Sequence, residues 1–166
     1  TEDYYPAALR AQIDALNDEI YVNVNNGVYR CGFAQSQEAY DKAVTALFAT
    51  LDKLEGILDR QRYLTGDRLT EADWRLFPTL IRFDVAYFGA FKCNIRQLRD
   101  YPNLLNYTRE LYQQPGIAET FVFDYAKRNY YAIERVNPSR IVPKGPEGIE
   151  DFYRQPHDRD RFPAAA

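Results

Sequence analysis

Fourteen of the 166 residues are tyrosines, and the phenol is the side chain here best suited to proton chemistry. Its pKa near ~10 keeps it protonated at neutral pH, so it can donate a hydrogen bond or a proton. Tyr29 in "NNGVYRCG" follows a helix-stop signal and lies off the neighbouring apolar seams. Tyr87 in "FDVAYFG" stands near the end of one helix, and Tyr130 and Tyr131 in "RNYY" close another. Spacing alone favours a half-buried packing role over a functional one at each of these positions.

Other reactive side chains fit structural roles better. Cys31 and Cys93 follow Arg30 and Lys92, whose charge favours a thiolate. Neither opens a Cys-Pro or Cys-x-x-Cys stretch, so both read as reduced structural thiols of a cytoplasmic protein rather than a disulfide. The lone His157, in the charged "RQPHDRDRF", reads as a surface residue. One histidine and no close cysteine pair leave no zinc site, and no metal is expected. No Gly-rich phosphate cradle or HExxH occurs. A net charge of −3 argues against a nucleic-acid partner. No apolar run approaches the ~18 residues of a membrane span. The opening "TEDYYPAALR" is too polar for a signal peptide.

The elements that must position these groups are helical. Leu9, Ile13, Leu16, Ile20 and Val24 recur at intervals of three and four on one face. Pro6 suits that helix's first turn. "NNG" at 25–27 predicts its stop through left-handed residues, and "VYRCGFAQ" then reads as a non-periodic connection. Ser36 is placed as the N-cap of a long helix with the seam Tyr40, Val44, Leu47, Leu51, Leu54 and Leu58. Such a seam wants the first helix packed antiparallel against it. "YLTGD" breaks the pattern and "TGDRLTEADWRLF" starts the next helix. There Thr70 is the cap and Asp73, three residues on, completes a capping box. Leu69 and Trp74 form a hydrophobic staple, cap and staple together contributing ~1–2 kcal/mol. Pro78 is expected to bend this helix. Residues 100–116 and 117–132 read as two more helices. From "NPSRIVPKGPEG" onward Pro and Gly dominate and periodicity ends. No alternating strand pattern exceeds four or five residues, so the expected class is all-α.

"LTGDRLTEADWRLF" resembles the capping box and staple that start the central helix of glutathione transferase C-terminal domains. "NNGVYRCGFAQSQEAY", "DRLTEADWRLFPTLIRFDVAYFGAFKCN", "DYPNLLNYTRELYQQPGIAET" and "NPSRIVPKGP" narrow the match. Together they resemble the glutathionyl-hydroquinone reductases, the Xi-class glutathione transferases, from about Tyr4 to "PHDR". The resemblance implies a glutathione-transferase C-terminal-like helical bundle over residues 1–132. An extended tail, 133–166, would pack on it or trail from it. It further implies a preceding thioredoxin-like domain that carries the catalytic cysteine and binds glutathione. The chain has no methionine, even at position 1, which fits a piece of a longer protein that is inactive alone. The whole enzyme would reduce glutathionyl-hydroquinones to hydroquinones. Glutathione would be the co-substrate with no tightly bound cofactor, and the helical domain would mediate a homodimer.

The same resemblance assigns roles to the tyrosines. Tyr29 would be the acid–base partner, and Tyr87 and Tyr130 would donate hydrogen bonds to the thiolate or the quinol oxygen. Tyr131 would touch substrate. The alternative is a non-catalytic interaction or dimerisation module, in which these tyrosines are core filler. Three positions depart from the family pattern. Ala90 and Asn129 stand where relatives often carry His, and Pro78 replaces a more usual small polar residue.

Overall fold

The computed structural model describes residues 1–163, and among these the chain is helical with no β-strand. The first rod runs unbroken as α1 (Arg10–Ile20), a π-helical turn (Tyr21–Asn25) and α2 (Asn26–Gly32). The expected stop at 25–27 is therefore wrong. Asn25 and Asn26 both keep right-handed helical backbone. Their sequence serves tertiary contacts instead. The Asn25 amide donates to Thr79 Oγ1 at 2.7 Å and to the Arg75 carbonyl at 3.2 Å. A Cβ at Gly27 would already touch Leu47 at 4.0 Å. Tyr29 consequently projects from a helix, not from a connection.

Helix α3 (Gln37–Leu58) begins where Ser36 Oγ accepts the Ala39 N–H at 3.1 Å. Val44, Leu47, Leu51, Leu54 and Leu58 are buried along its seam, with Tyr40 half-buried. Glu19 pairs with Lys53, Asn23 with Thr50, and Gly27 meets Leu47. Later residues of the rod thus meet earlier residues of α3, the antiparallel hairpin the seam requires.

Helix α4 (Glu71–Arg82) carries the Thr70–Asp73 capping box. It continues through Pro78 and widens into a second π-helical turn (Phe83–Tyr87), followed by the single turn α5 (Phe88–Ala90). Helix α6 (Pro102–Tyr112) has Pro102 in its first turn, and its free N–H groups find a cap from another helix. The Glu55 carboxylate of α3 accepts from Asn103 N at 2.7 Å and Leu104 N at 3.0 Å. A carboxylate there satisfies two orphan donors and complements the helix dipole.

The next helix is shorter than 117–132. Phe121 and Phe123 are buried while Val122 between them is exposed. That alternation demands extended backbone, so α7 spans only Phe123–Tyr131. In the tail, a cis Gly145–Pro146 bond precedes α8 (Ile149–Arg154), a helix that no periodicity announced. Beyond it Arg159 is 0% exposed. Its guanidinium donates to Asn103 Oδ1 at 3.1 Å and to the Gln61 and Arg62 carbonyls at 2.8 and 2.9 Å.

Asp73 does more than start a helix. It is 0% exposed, and its carboxylate accepts from Thr70 N at 2.9 Å, Leu64 N at 3.0 Å and the Tyr107 hydroxyl at 2.7 Å. Burial outweighs these donors and pushes its pKa up to about 6. The unfolded value is near ~4, so between the two the native state holds a proton the unfolded chain has released. The stability this supplies is complete below pH ~4 and is lost as pH rises through the folded value. Wild type is expected to lose roughly 2–3 kcal/mol relative to Asp73→Asn between about pH 4 and 7. Urea unfolding of both proteins reads this difference, and parallel pH profiles would refute it.

Candidate active site

Tyr29 comes from α2, Tyr87 from the end of the second π-helical turn, and Tyr130 from α7. The fold brings their hydroxyls into one row. Tyr29 Oη lies 2.7 Å from Tyr130 Oη, which lies 2.8 Å from Tyr87 Oη. Helix α7 packs against the π-helical turn. The extra residue in that turn shifts the phase of side chains beyond it relative to a plain α-helix.

Phe91 organises the rings. It is 0% exposed, with its centroid 5.2 Å from Tyr29, 5.4 Å from Tyr130 and 5.5 Å from Tyr87. It stacks on Tyr87 and meets Tyr130 edge to face, both favoured aromatic geometries. Gly32 makes room for it, because a Cβ there would fall 2.3 Å from Phe91 Cδ1. Sequence reasoning missed both residues. A phenylalanine eligible for any core and a glycine near a helix end carry no signal of this contact.

The row is graded in exposure. Tyr87 is 3% exposed, Tyr130 half-buried, and Tyr29 40% exposed. Burial, with help from the bond to Tyr130, holds the Tyr87 pKa far above that of a free phenol. The Tyr130 pKa is raised first by burial and then by its bond to Tyr29. Its bond to Tyr87 and the nearby Arg82 charge act the other way. Either hydroxyl of each pair can be the donor, and one of the arrangements open to the row has Tyr87 donating to Tyr130 and Tyr130 to Tyr29. Tyr29 is then free to donate outward.

Outward lies an open cleft of about 470 Å³ lined by Asn26, Tyr29, Arg30, Phe33 and Ala39. A second cleft of about 480 Å³ lies between α7 and the tail, beside Phe121, Phe123 and Lys127. It holds none of the phenols, so the Tyr29 cleft is the better candidate for proton chemistry.

The remaining sequence candidates lie elsewhere. The Tyr131 hydroxyl sits against Gly89, where a Cβ would come within 1.9 Å of it, and makes no hydrogen bond to the three phenols. Thr70 and Asp73 lie buried at the start of α4. Cys31 and Cys93 are free and buried. His157 is half-buried rather than on the surface, because its Nδ1 accepts the Arg159 N–H at 3.1 Å. Among the described residues no cluster of His, Cys, Asp and Glu could hold a metal ion. No described helix is long and apolar enough to cross a membrane.

Comparison with known proteins places the chain in a family. A family profile described as "Glutathione S-transferase, C-terminal domain" matches residues 37–110. Glutathionyl-hydroquinone reductase YqjG of Escherichia coli is 52% identical over 159 residues, covering 95% of this chain and 48% of that protein. Glutathionyl-hydroquinone reductase PcpF of Sphingobium chlorophenolicum is 53% identical, covering 87% of this chain and 46% of its own. The chain thus spans about half the length of the curated relatives it matches. The glutathione-bound structure of YqjG superposes with a TM-score of 0.92 at 50% identity, covering 98% of this chain and 52% of that one. A Xi-class transferase from Natrialba magadii gives 0.92 at 48% identity, covering 98% and 49%. The chain belongs to the glutathione transferase family, as a C-terminal helical domain of the Xi-class, glutathionyl-hydroquinone reductase type.

Proposed function

We propose that this chain is the substrate-binding helical part of a cytoplasmic enzyme that reduces glutathionyl-hydroquinones with glutathione. The observation that carries the reading is the row of three hydrogen-bonded phenols ending at an open cleft. A thioredoxin-like domain outside these residues supplies the attacking cysteine. That thiolate attacks the glutathionyl sulfur, forming a mixed disulfide as the carbon–sulfur bond breaks. The electron pair left on the aromatic carbon takes a proton from Tyr29, giving the hydroquinone. A second glutathione thiolate then attacks the mixed disulfide, releasing oxidised glutathione and restoring the enzyme thiolate. Tyr130 and Tyr87 support Tyr29 by donating along the row, which stabilises its oxygen as the proton leaves. Tyr131, packed on Gly89 and outside the cleft lining, serves the helical wall rather than the substrate.

Neither cysteine of this chain suits the nucleophile's task, because both are buried and neither reaches the cleft. A homodimer through this domain completes the proposal. It is supported by exposed apolar side chains at Val122, Tyr125 and Ile141, exposed by 50%, 65% and 71%. The 166-residue chain alone is expected to show no turnover of a glutathionyl-hydroquinone. The same residues joined to a thioredoxin-like domain bearing the cysteine are expected to turn over. Release of hydroquinone by the chain alone would overturn the assignment.

A further inference from the structure

Cys31 and Cys93 are separated by 61 residues of chain yet meet in one place. Cys93 Sγ lies 3.9 Å from the Val28 carbonyl oxygen, and Val28 is one helical turn before Cys31 on the same face of α2. Cys31 also shares a cavity wall with Lys92, the residue before Cys93, and neither thiol is in a disulfide. Their access to solvent differs. Cys31 lines a cavity of about 380 Å³ with Gly32, Ser36, Tyr40 and Lys92, whereas Cys93 is 0% exposed behind it. The segment carrying Cys93 is also pinned. Lys92 takes a left-handed backbone (φ 59°), a strained state for a residue with a Cβ, and its carbonyl accepts from the Tyr40 hydroxyl at 2.5 Å.

We propose that Cys31 and Cys93 form a peroxide-reactive dithiol site, in which Cys31 takes the oxidant and Cys93 resolves it to a disulfide. The charge distribution agrees with this order. Hydrogen bonding from Cys93 and the nearby Arg30 lower the Cys31 pKa, while that bond and burial raise the Cys93 pKa. Cys31 is therefore the more acidic thiol of the pair, the one better suited to attack as a thiolate. At 3% exposure its sulfur is shielded from a bulky disulfide such as oxidised glutathione, which leaves a small hydroperoxide as the fitting reactant.

The Cys31 thiolate attacks one peroxide oxygen, the O–O bond breaks, and the departing hydroxide takes up a proton to become water. The Cys93 sulfur then attacks the Cys31 sulfenic acid. Its proton passes to the leaving hydroxide, releasing a second water. Two thiols lose two electrons in all, and one peroxide gains them. This site acts independently of the cleft chemistry proposed above, so its test needs no substrate turnover.

The test is hydrogen peroxide treatment of the native chain, followed by intact mass and a thiol count in denaturant. The chain has no methionine, so added oxygen reports mainly on sulfur. Wild type is expected to lose the mass of two hydrogens and both titratable thiols, and dithiothreitol should restore them. Cys93→Ser is expected to stop at a sulfenic acid on Cys31, trapped by dimedone, and Cys31→Ser to remain unoxidised. Wild type that gains oxygen without losing two hydrogens would overturn the proposal. So would wild type that keeps both thiols under conditions that oxidise Cys93→Ser, or oxidation of Cys93 in the Cys31→Ser protein.

Discussion

Tyr29→Phe, made in a longer enzyme that carries the attacking cysteine, is expected to lower kcat for glutathionyl-hydroquinone reduction by about 100-fold or more. KM should change little. The phenylalanine ring keeps its place against Phe91, 5.2 Å away, so the shape of the cleft wall survives. What disappears is the one hydroxyl of the row whose tyrosine lines the cleft. The loss then falls on the step in which the aromatic carbon gains a proton, and it appears in kcat rather than in binding. Stability is a useful control. Tyr29 is 40% exposed and its hydroxyl makes one bond to Tyr130, so deletion costs about 1 kcal/mol at most. An unchanged kcat would leave Tyr29 as packing and favour the non-catalytic reading of the domain.

Arg159→Ala is expected to destabilise the chain by about 3–5 kcal/mol. Its Tm should fall by roughly 6–20 °C. The guanidinium is 0% exposed and bonds Asn103 Oδ1 and the Gln61 and Arg62 carbonyls at once. Alanine leaves these acceptors without their donors in a place water does not reach. Arg161 also donates to Asn103 Oδ1, but it reaches neither Gln61 nor Arg62. Lysine should rescue little, because a single ammonium cannot span partners that a planar fork reaches in two directions. Thermal unfolding measures the loss, and limited proteolysis should show the tail cut first. A Tm within a degree or two of wild type would show that the tail is held by other contacts.

The helices built on local rules were legible before any coordinates. Ser36 caps α3, Thr70 and Asp73 start α4, and the seam from Val44 to Leu58 is buried as its spacing demands. In each case the deciding interaction spans only a few residues of chain. The errors occur where a distant partner decides. "NNG" looks like a stop until Thr79 and Leu47 occupy those residues from other helices. Helix α7 starts late because Phe121 and Phe123 both turn inward. Arg159, in a tail that looks polar and aperiodic, is buried because three acceptors from two other segments surround it.

The candidate site divides the same way. Tyr29, Tyr87 and Tyr130 were singled out through resemblance, since their spacing alone favoured core packing. Their convergence depends on Phe91 and Gly32. Neither residue could be nominated without knowing that α2 runs on past Asn26.

The row of hydroxyls is closed at one end. Tyr87 is 3% exposed, packed on Phe91 and Tyr130, so in the proposed reaction it offers no inner supply once Tyr29 gives up a hydrogen ion. On that reading replenishment comes back through the same mouth by which the quinol would leave. In the proposed reaction each cycle would couple recharging of the acid to emptying of the cleft, and a product slow to depart would also delay the next round of acid chemistry.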